Sequence, residues 1–259
     1  MTTSPTPDVM NDVHLGEVPE AFDEVADRYD LMVAMNPGYH AHLRASADAL
    51  ADALAHLDPN RAGPYRVVDL GCGSGASTRA LVAALDDRSL RYELVGVDGS
   101  AGMLREAQAK TWPGHVRFVH ARAEELATRE DVTRSGPIDG IFAAYLVRNV
   151  TARDELLATL HDLLTPGGAL VIHEYSVAGN RRAEAVWTAV CRGVVVPLGY
   201  VTSRRTRLYR YLWQSVMQMD STEVLMQRLL TAGFEDVGTR SVRGWQQGII
   251  HTFRAWRPE

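Results

Sequence analysis

Three glycines preceded by an aspartate form the strongest candidate for chemistry in this chain. The stretch VVDLGCGSGASTRAL begins at Val67 and gives the spacing D-x-G-x-G-x-G from Asp69 to Gly75. Glycines between a buried strand and a helix let the backbone approach a ligand closely, and the free N–H groups of the helix start favour polar or anionic groups. A carboxylate directly before them repels a pyrophosphate and suits a ligand that carries an ammonium group.

A second acid, Asp98, ends the next apolar strand 23 positions after Gly75. An acid at about this distance binds ribose hydroxyls in βαβ nucleotide sites. Gly71, Gly73 and Ala76 also satisfy the loose G-x-G-x-x-G/A pattern of dinucleotide sites, which is weak evidence alone. S-Adenosylmethionine has an ammonium group, a ribose and an adenine but no phosphate, so it fits the pair of acids. The alternative is that the glycines only let a helix pack closely on a strand.

Arg148 and Asn149 follow the fourth apolar strand, in YLVRNV, and form the candidate catalytic pair. The carboxyl edge of such a sheet is where ligands bind. Because arginine stays charged in proteins, Arg148 suits the stabilisation of a phenolate better than proton removal. The alternative is an ion pair or a cap for the next helix. His40 is a candidate base because the unperturbed pKa of histidine lies near neutrality; the alternative is a structural or exposed histidine.

Strands alternate with helices over most of the chain. The predicted strands are RVVDL, YELVGVDGS, VRFVHA, IDGIFAAYLV and ALVIHEYS, with TPGG as a turn before the fifth. Two closing strands, EDVGTRSVRG and GIIHTFRAWRP, are predicted to form a hairpin. The pattern predicts an α/β, Rossmann-like, doubly wound fold with a seven-stranded, mostly parallel sheet and an antiparallel last strand.

The chain is predicted to form one domain, residues 19–259, after a disordered lead-in over 1–18. Residues 19–60 are predicted entry helices, and 178–218 a helical lid insertion. A further helix follows, with Ser221 or Thr222 as its N-cap.

The lid insertion is rich in apolar and aromatic residues, which suits an apolar ring substrate. The alternative is ordinary packing of the lid on the sheet, since helical spacing of aromatic residues usually marks a core. The residues concerned are Val186, Trp187, Val190, Val194, Val195, Tyr209, Tyr211, Leu212 and Trp213.

Composition indicates an ordinary globular protein that can bury a sizeable core. The net charge of −5 argues against a nucleic-acid-binding surface. Two distant cysteines, Cys72 and Cys191, indicate reduced thiols and neither a disulfide framework nor a metal site. No secretory signal and no apolar run of about 18 residues is present, so a cytoplasmic location is expected. The arginines of SRRTRLYR could meet acidic lipid heads or form a solvated face, and a homodimer is expected from the habit of soluble enzymes.

The motif set resembles class I S-adenosylmethionine-dependent methyltransferases. Within them it is similar to the ubiquinone/menaquinone biosynthesis C-methyltransferase family. VADRYDLMVAMNPGYH resembles that family's entry segment, YLVRNV its L-R-N motif, LLTPGGALVIHEYS its L-x-P-G-G…E-F-S block, and VVPLGY…YRYLWQSV its P-x-x-G…Y-x-Y-L-x-x-S-I stretch. The likeness covers nearly the whole chain after about residue 20.

The resemblance implies methyl transfer to a ring carbon of a quinol, with S-adenosylmethionine as cofactor. It implies catalytic roles for Arg148, Asn149 and His40. The chain departs from the family at Val33, where asparagine is usual, and at Arg122, where an acid would meet the adenine amino group. These departures keep open a paralogue with another aromatic substrate. The cofactor-binding residues that the resemblance implies are Tyr29, Asp69, Gly71, Cys72, Gly73, Gly75, Asp98, Gly99, Met103, Ala123, Glu124 and Ala144.

Three other functions stay open. One is methylation of an oxygen or nitrogen of an aromatic secondary metabolite. The second is a nicotinamide-dependent reductase, against which Asp69 and the lack of a Tyr-x-x-x-Lys pair both argue. The third is a binding module that senses the cofactor without catalysis, against which the Arg148–Asn149 pair argues.

Overall fold

The elements of the fold follow the predicted alternation closely. In the computed structural model, the residues described are 23, 36, 38–57, 63–134, 136–195 and 207–259. The strands are β1 (Tyr65–Leu70), β2 (Tyr92–Asp98), β3 (Val116–His120), β4 (Ile138–Ala144), β5 (Leu164–Tyr175), β6 (Glu235–Ser241) and β7 (Ile250–Trp256). The helices are α1 (Tyr39–Leu57), α2 (Ala76–Asp87), α3 (Ala101–Gln108), α4 (Glu130–Thr133), α5 (Arg153–Leu163), α6 (Arg181–Val190), α7 (Arg207–Met217) and α8 (Thr222–Thr231).

The seven strands form one sheet in the order β3-β2-β1-β4-β5-β7-β6. Six run parallel, and β7 is antiparallel to both of its neighbours. The order reverses between β1 and β4, which is where doubly wound sheets bind ligands. The predicted fold class is confirmed, including the closing hairpin and the antiparallel last strand.

Helices cover both faces of the sheet. On one face α1, α2, α6 and α7 pack with buried side chains such as Leu50, Leu81 and Trp187. On the other face α5 and α8 pack with Leu157 and Leu229. Burial of both faces explains why the strands read as apolar runs in the sequence. Among the residues that the structure describes, no helix is both long enough and apolar enough to cross a membrane.

The predicted TPGG turn is wrong, because these residues are part of β5. The strand starts at Leu164, and its pairing with β4 shifts between Ile138 and Gly140 as a β-bulge. Gly167 adopts φ 74°, and its N–H donates to the carbonyl of Arg257 at 2.9 Å. A bulge of this kind accommodates extra residues without ending the strand. The pair Gly167 and Gly168 is typical of a turn, which is why the sequence predicts a turn where the strand in fact continues.

The insertion between β5 and α8 contains α6 and α7. Trp187 of α6 is buried and its ring lies 4.8 Å from that of Tyr175. Trp187 therefore packs in the core on the sheet, which was the alternative to a role in binding an apolar substrate. The side chains of Val194, Val195 and Tyr209 lie outside the described residues. The helix α8 begins as predicted, with the Ser221 hydroxyl accepting from the N–H of Val224 at 3.3 Å.

Candidate functional site

A cavity lies at the carboxyl edge of the sheet, next to the ends of β1, β2 and β4. Its walls bring together most of the predicted site residues, from loops far apart in the sequence. Those that line it are Gly71, Cys72, Gly73, Asp98, Gly99, Met103, Ala123, Glu124, Ala144, Arg148 and Asn149. Lining residues that were not predicted are Tyr39, Leu70, Ser74, Ala76, Ser77, Val97, Ala121, Arg122, Tyr145, Leu146 and Val150.

The glycine turn forms one wall. Gly73 has φ 54° and Gly75 has φ 93°, a region that side chains with a Cβ rarely adopt. The N–H of Gly71 donates to the carbonyl of Val97 at 2.7 Å, which fastens the turn to β2. Gly75 does not line the cavity; it precedes α2, and a Cβ there would lie 2.7 Å from the ring of Trp112. The turn therefore brings backbone, and no side chain, to the cavity at Gly71 and Gly73.

Asp98 lies at the end of β2 and lines the cavity. Its Oδ2 accepts from the N–H of Gly73 and its Oδ1 from the N–H of Ser100, each at 2.8 Å. Burial raises the pKa of Asp98, and these two backbone hydrogen bonds oppose the rise. The carboxylate is thus fixed in one orientation between the glycine turn and α3.

Asp69 does not line the cavity, so the predicted direct contact with a ligand ammonium group is not what the structure shows. The side chain is fully buried below the turn, and its Oδ2 accepts from the hydroxyls of Ser77 at 2.8 Å and Thr78 at 2.6 Å. Its Oδ1 is buried with no hydrogen-bond partner in the described chain. Burial raises the pKa of Asp69 to about 7.

The raised pKa of Asp69 predicts a pH-dependent stability. The unfolded carboxyl ionises near 3.8 and the folded one near 7, so the folded state holds more protons between these values. The free energy of unfolding is therefore expected to fall as the pH rises from about 4 to about 7. In Asp69→Asn this contribution should vanish. Urea unfolding of both proteins at pH 5 and pH 7.5 checks it, and equal changes with pH in both would contradict the prediction.

Arg148, Glu174 and Asn149 form a buried polar cluster on the opposite wall. The Nη1 of Arg148 donates to Glu174 Oε1 at 2.8 Å and to the carbonyl of Tyr145 at 2.6 Å. Both charged side chains are almost fully buried. The amide of Asn149 donates from Nδ2 to the carbonyl of Tyr145 at 3.3 Å, and its Oδ1 accepts from the hydroxyl of Tyr211 at 2.9 Å. The ion pair that was an alternative for Arg148 is therefore present.

Tyr145 connects this cluster to a wall of aromatic rings. It is a non-glycine residue with φ 57°, directly after β4. Its ring stacks on that of Tyr39, with centroids 5.6 Å apart and planes inclined by 13°. Neither tyrosine was predicted as a cavity residue. For Tyr145 the reason is its left-handed backbone after a strand, which directs the side chain to a place that the strand's alternation does not predict.

His40 is not brought into this site. His40 is exposed on α1 and lines a separate depression with Arg79 and Lys110. Only its neighbour Tyr39 reaches the cavity. Tyr29 and Val33 lie outside the described residues.

One family model matches nearly the whole chain, and solved structures of low identity have a similar fold. The family model described as the ubiE/COQ5 methyltransferase family matches residues 9–257. The ubiquinone/menaquinone biosynthesis C-methyltransferase UbiE of Stutzerimonas stutzeri is 29% identical over 247 residues, which cover 93% of this chain and 89% of that protein. The plantazolicin methyltransferase BpumL has a similar fold, with a TM-score of 0.62 at 13% identity, covering 94% of this chain and 97% of its own. The CurJ carbon methyltransferase gives 0.60 at 19% identity, covering 95% and 59%.

Proposed function

The chain belongs to the ubiE/COQ5 methyltransferase family, and from this premise we propose that it methylates a ring carbon of a quinol or a related aromatic small molecule. It is a methyltransferase that uses S-adenosylmethionine as its cofactor. The observation that carries the proposal is the division of the cavity. The glycine turn and Asp98 form one side, and Arg148, Asn149 and two tyrosines form the other.

The residues of the first side fit the cofactor. Asp98 is held by two backbone N–H groups, and each carboxylate oxygen keeps a lone pair for a ribose hydroxyl. At Gly71 and Gly73 no side chain stands between the backbone and a ligand. The unpartnered Oδ1 of Asp69 lies buried behind this turn, so it would reach a donor of the ligand only through a bridging water. When bound, S-adenosylmethionine supplies a methyl group already activated on a sulfonium.

The residues of the second side would hold and orient the acceptor. Because Glu174 neutralises Arg148, the pair has no net charge and the guanidinium is no base. Asn149 uses one N–H and one lone pair within the protein, so it retains one of each for an acceptor oxygen. Fixing the acceptor in this way contributes to rate by proximity and orientation.

The tyrosines favour a second candidate reaction. Tyr39 and Tyr145 present rings with hydroxyl groups rather than purely aliphatic surface. Such a wall suits acceptors that carry several hydroxyl groups, whose oxygen is also a methyl acceptor. Methylation of an oxygen or nitrogen of an aromatic metabolite is therefore the second candidate.

The proposed function is tested by label transfer. Purified protein is given methyl-labelled S-adenosylmethionine and a chemically reduced prenylated naphthoquinol, and fragmentation of the product locates the methyl group. We expect the label on a ring carbon. A methyl group on oxygen would support the second candidate. No label in any aromatic acceptor, although S-adenosylhomocysteine binds by calorimetry, would overturn both. The variant Glu93→Gln, an exposed carboxylate on β2, serves as the matched active control.

A further inference from the structure

Three side chains form a hydrogen-bonded chain from the cavity wall to the side of β7. Tyr145 lines the cavity, and its hydroxyl lies 3.2 Å from Nε2 of His173. The other ring nitrogen of His173, Nδ1, lies 3.0 Å from Oγ1 of Thr252. His173 is fully buried, whereas Thr252 is partly exposed. The three residues are called the relay below.

The sheet fixes the spacing of the relay. His173 of β5 stands directly opposite Thr252 of the antiparallel strand β7, and opposed residues project to the same face. The N–H of Tyr145 donates to the carbonyl of His173 at 2.7 Å, which ties the turn after β4 to β5. The contacts therefore depend on strand register and not on flexible loops.

The imidazole of the relay is neutral. Burial, together with the nearby His42 and His251, lowers the pKa of His173 to about 3. A neutral imidazole has one N–H and one lone pair, and both of its neighbours are hydroxyls that can donate and accept. In either tautomer, His173 can therefore donate one hydrogen bond of the relay and accept the other. A proton can enter at one nitrogen while another leaves from the second, without an imidazolium ever forming.

Tyr145 itself is held in a conformation that costs energy. Its φ of 57° is uncommon for a bulky residue, and such residues cluster at active sites where the surroundings enforce them. Here the carbonyl of Tyr145 accepts from Arg148 and Asn149 while the hydroxyl meets His173. The same residue thus joins the acceptor-binding pair to the relay.

Among the residues that the structure describes, the other acids that line the cavity or its polar cluster are already engaged or lie on the cofactor side. Both oxygens of Asp98 accept backbone hydrogen bonds on the cofactor side. Glu174 is paired with Arg148. Glu124 is exposed and belongs to the turn after β3. The relay is the route by which a proton released beside Tyr145 can leave.

We propose that Tyr145, His173 and Thr252 carry away the proton that the aromatic acceptor loses during methylation, an inference that rests on the proposed function. The O–H bond of the acceptor breaks and its proton goes to the Tyr145 oxygen. The proton of Tyr145 moves to Nε2 of His173, the Nδ1 proton moves to Oγ1 of Thr252, and the Thr252 proton leaves to water. The electron pair of the O–H bond stays on the acceptor as a phenolate and is shared with the ring carbon that would take the methyl group. The C–H proton of that carbon would return to the oxygen as the ring regains aromaticity, so one proton is lost in all and nothing is oxidised or reduced.

Conservative variants test the relay in the presence of a phenolic acceptor. Thr252→Val and Tyr145→Phe each remove one hydroxyl and keep the shape of the side chain. We expect kcat to fall about 100-fold or more in each, in the range of general acid–base catalysis, with KM values unchanged within about twofold. The solvent deuterium isotope effect on kcat should rise in both, because proton removal becomes slower. Matched controls that should retain wild-type kcat are Thr239→Val on β6 and Tyr92→Phe on β2.

Nitrogen-15 NMR of the ligand-free protein tests the relay without any turnover, with His173→Gln used to assign the signals. In Thr252→Val the His173 tautomer should shift towards Nε2–H, because valine cannot accept from Nδ1. Unmoved His173 signals in both hydroxyl variants would overturn the relay, as would an unchanged kcat in Thr252→Val. A wild-type protein that shows the expected NMR shifts yet labels no aromatic acceptor would overturn the proposed function, a result distinct from either failure of the relay.

Discussion

Removal of the Glu174 carboxylate, in Glu174→Ala, is expected to lower the free energy of unfolding by about 3–5 kcal/mol. The reason is that Arg148 would stay buried without its counter-charge, since its side chain is only 6% exposed and that of Glu174 is 0% exposed. The N–H of Tyr175, which donates to Glu174 Oε1 at 2.9 Å, would also lose its partner. Urea unfolding measures the loss.

The controls separate the buried charge from the missing side chain. The double variant Arg148→Met with Glu174→Leu removes both charges and should recover most of the stability, because apolar pairs of similar volume replace buried ion pairs well. Methyl transfer should be lost in the double variant, because Arg148 is then missing from the acceptor side of the cavity. Breaking the exposed pair of Arg134 and Glu130 should leave the unfolding midpoint unchanged. A single variant as stable as wild type would show that the Arg148 charge does not depend on Glu174.

Asp98→Ala is expected to weaken the binding of S-adenosylhomocysteine about 100-fold or more. Hydrogen bonds to a charged group contribute about 1.5–3 kcal/mol each, and a ribose offers two hydroxyls. The carboxylate also orders the Gly73 and Ser100 N–H groups, so the turn and α3 should lose their common anchor. Isothermal titration calorimetry measures the affinity.

Two further proteins complete the Asp98 experiment. Glu93→Gln changes an exposed carboxylate of the same strand and should bind like wild type. Asp98→Asn keeps the size of the side chain, but its Nδ2 can only donate, so one of the two backbone hydrogen bonds is lost. Its affinity should lie between those of wild type and Asp98→Ala. If Asp98→Ala binds as tightly as Glu93→Gln, the ribose does not meet this acid.

The parts of the site that could be predicted are those set by local pattern. β1, the glycine turn and α2 follow one another without interruption from Tyr65 to Asp87, so each can be recognised from a continuous stretch of sequence. Asp98 ends one apolar strand and Arg148 follows another, and parallel strands bring their carboxyl ends to one edge. Position along the chain therefore sufficed to place them in one cavity.

The parts that could not be predicted depend on contacts between distant residues. The same D-x-G spacing fits an aspartate at the cavity or one buried below the turn, and only the hydroxyls of Ser77 and Thr78 decide for Asp69. Glu174 and His173 sit in an apolar strand, and their partners come from other elements. His40 and Tyr39 are adjacent in sequence, yet the turn of the helix sends one outward and the other inward.

The position of β7 between β5 and β6 bears on how the protein is made. Residues 250–256 are the last strand to leave the ribosome, yet they cover the edge of β5, which holds His173 and Glu174. Until then β5 presents unpaired backbone groups, a template for association with other chains. A growing chain can thus complete the cofactor side first, whereas the strand that carries His173 and Glu174 is covered only after residues 250–256 have emerged. Ribosome stalling near residue 250 should leave a nascent chain with a half-built site and a strong need for chaperones.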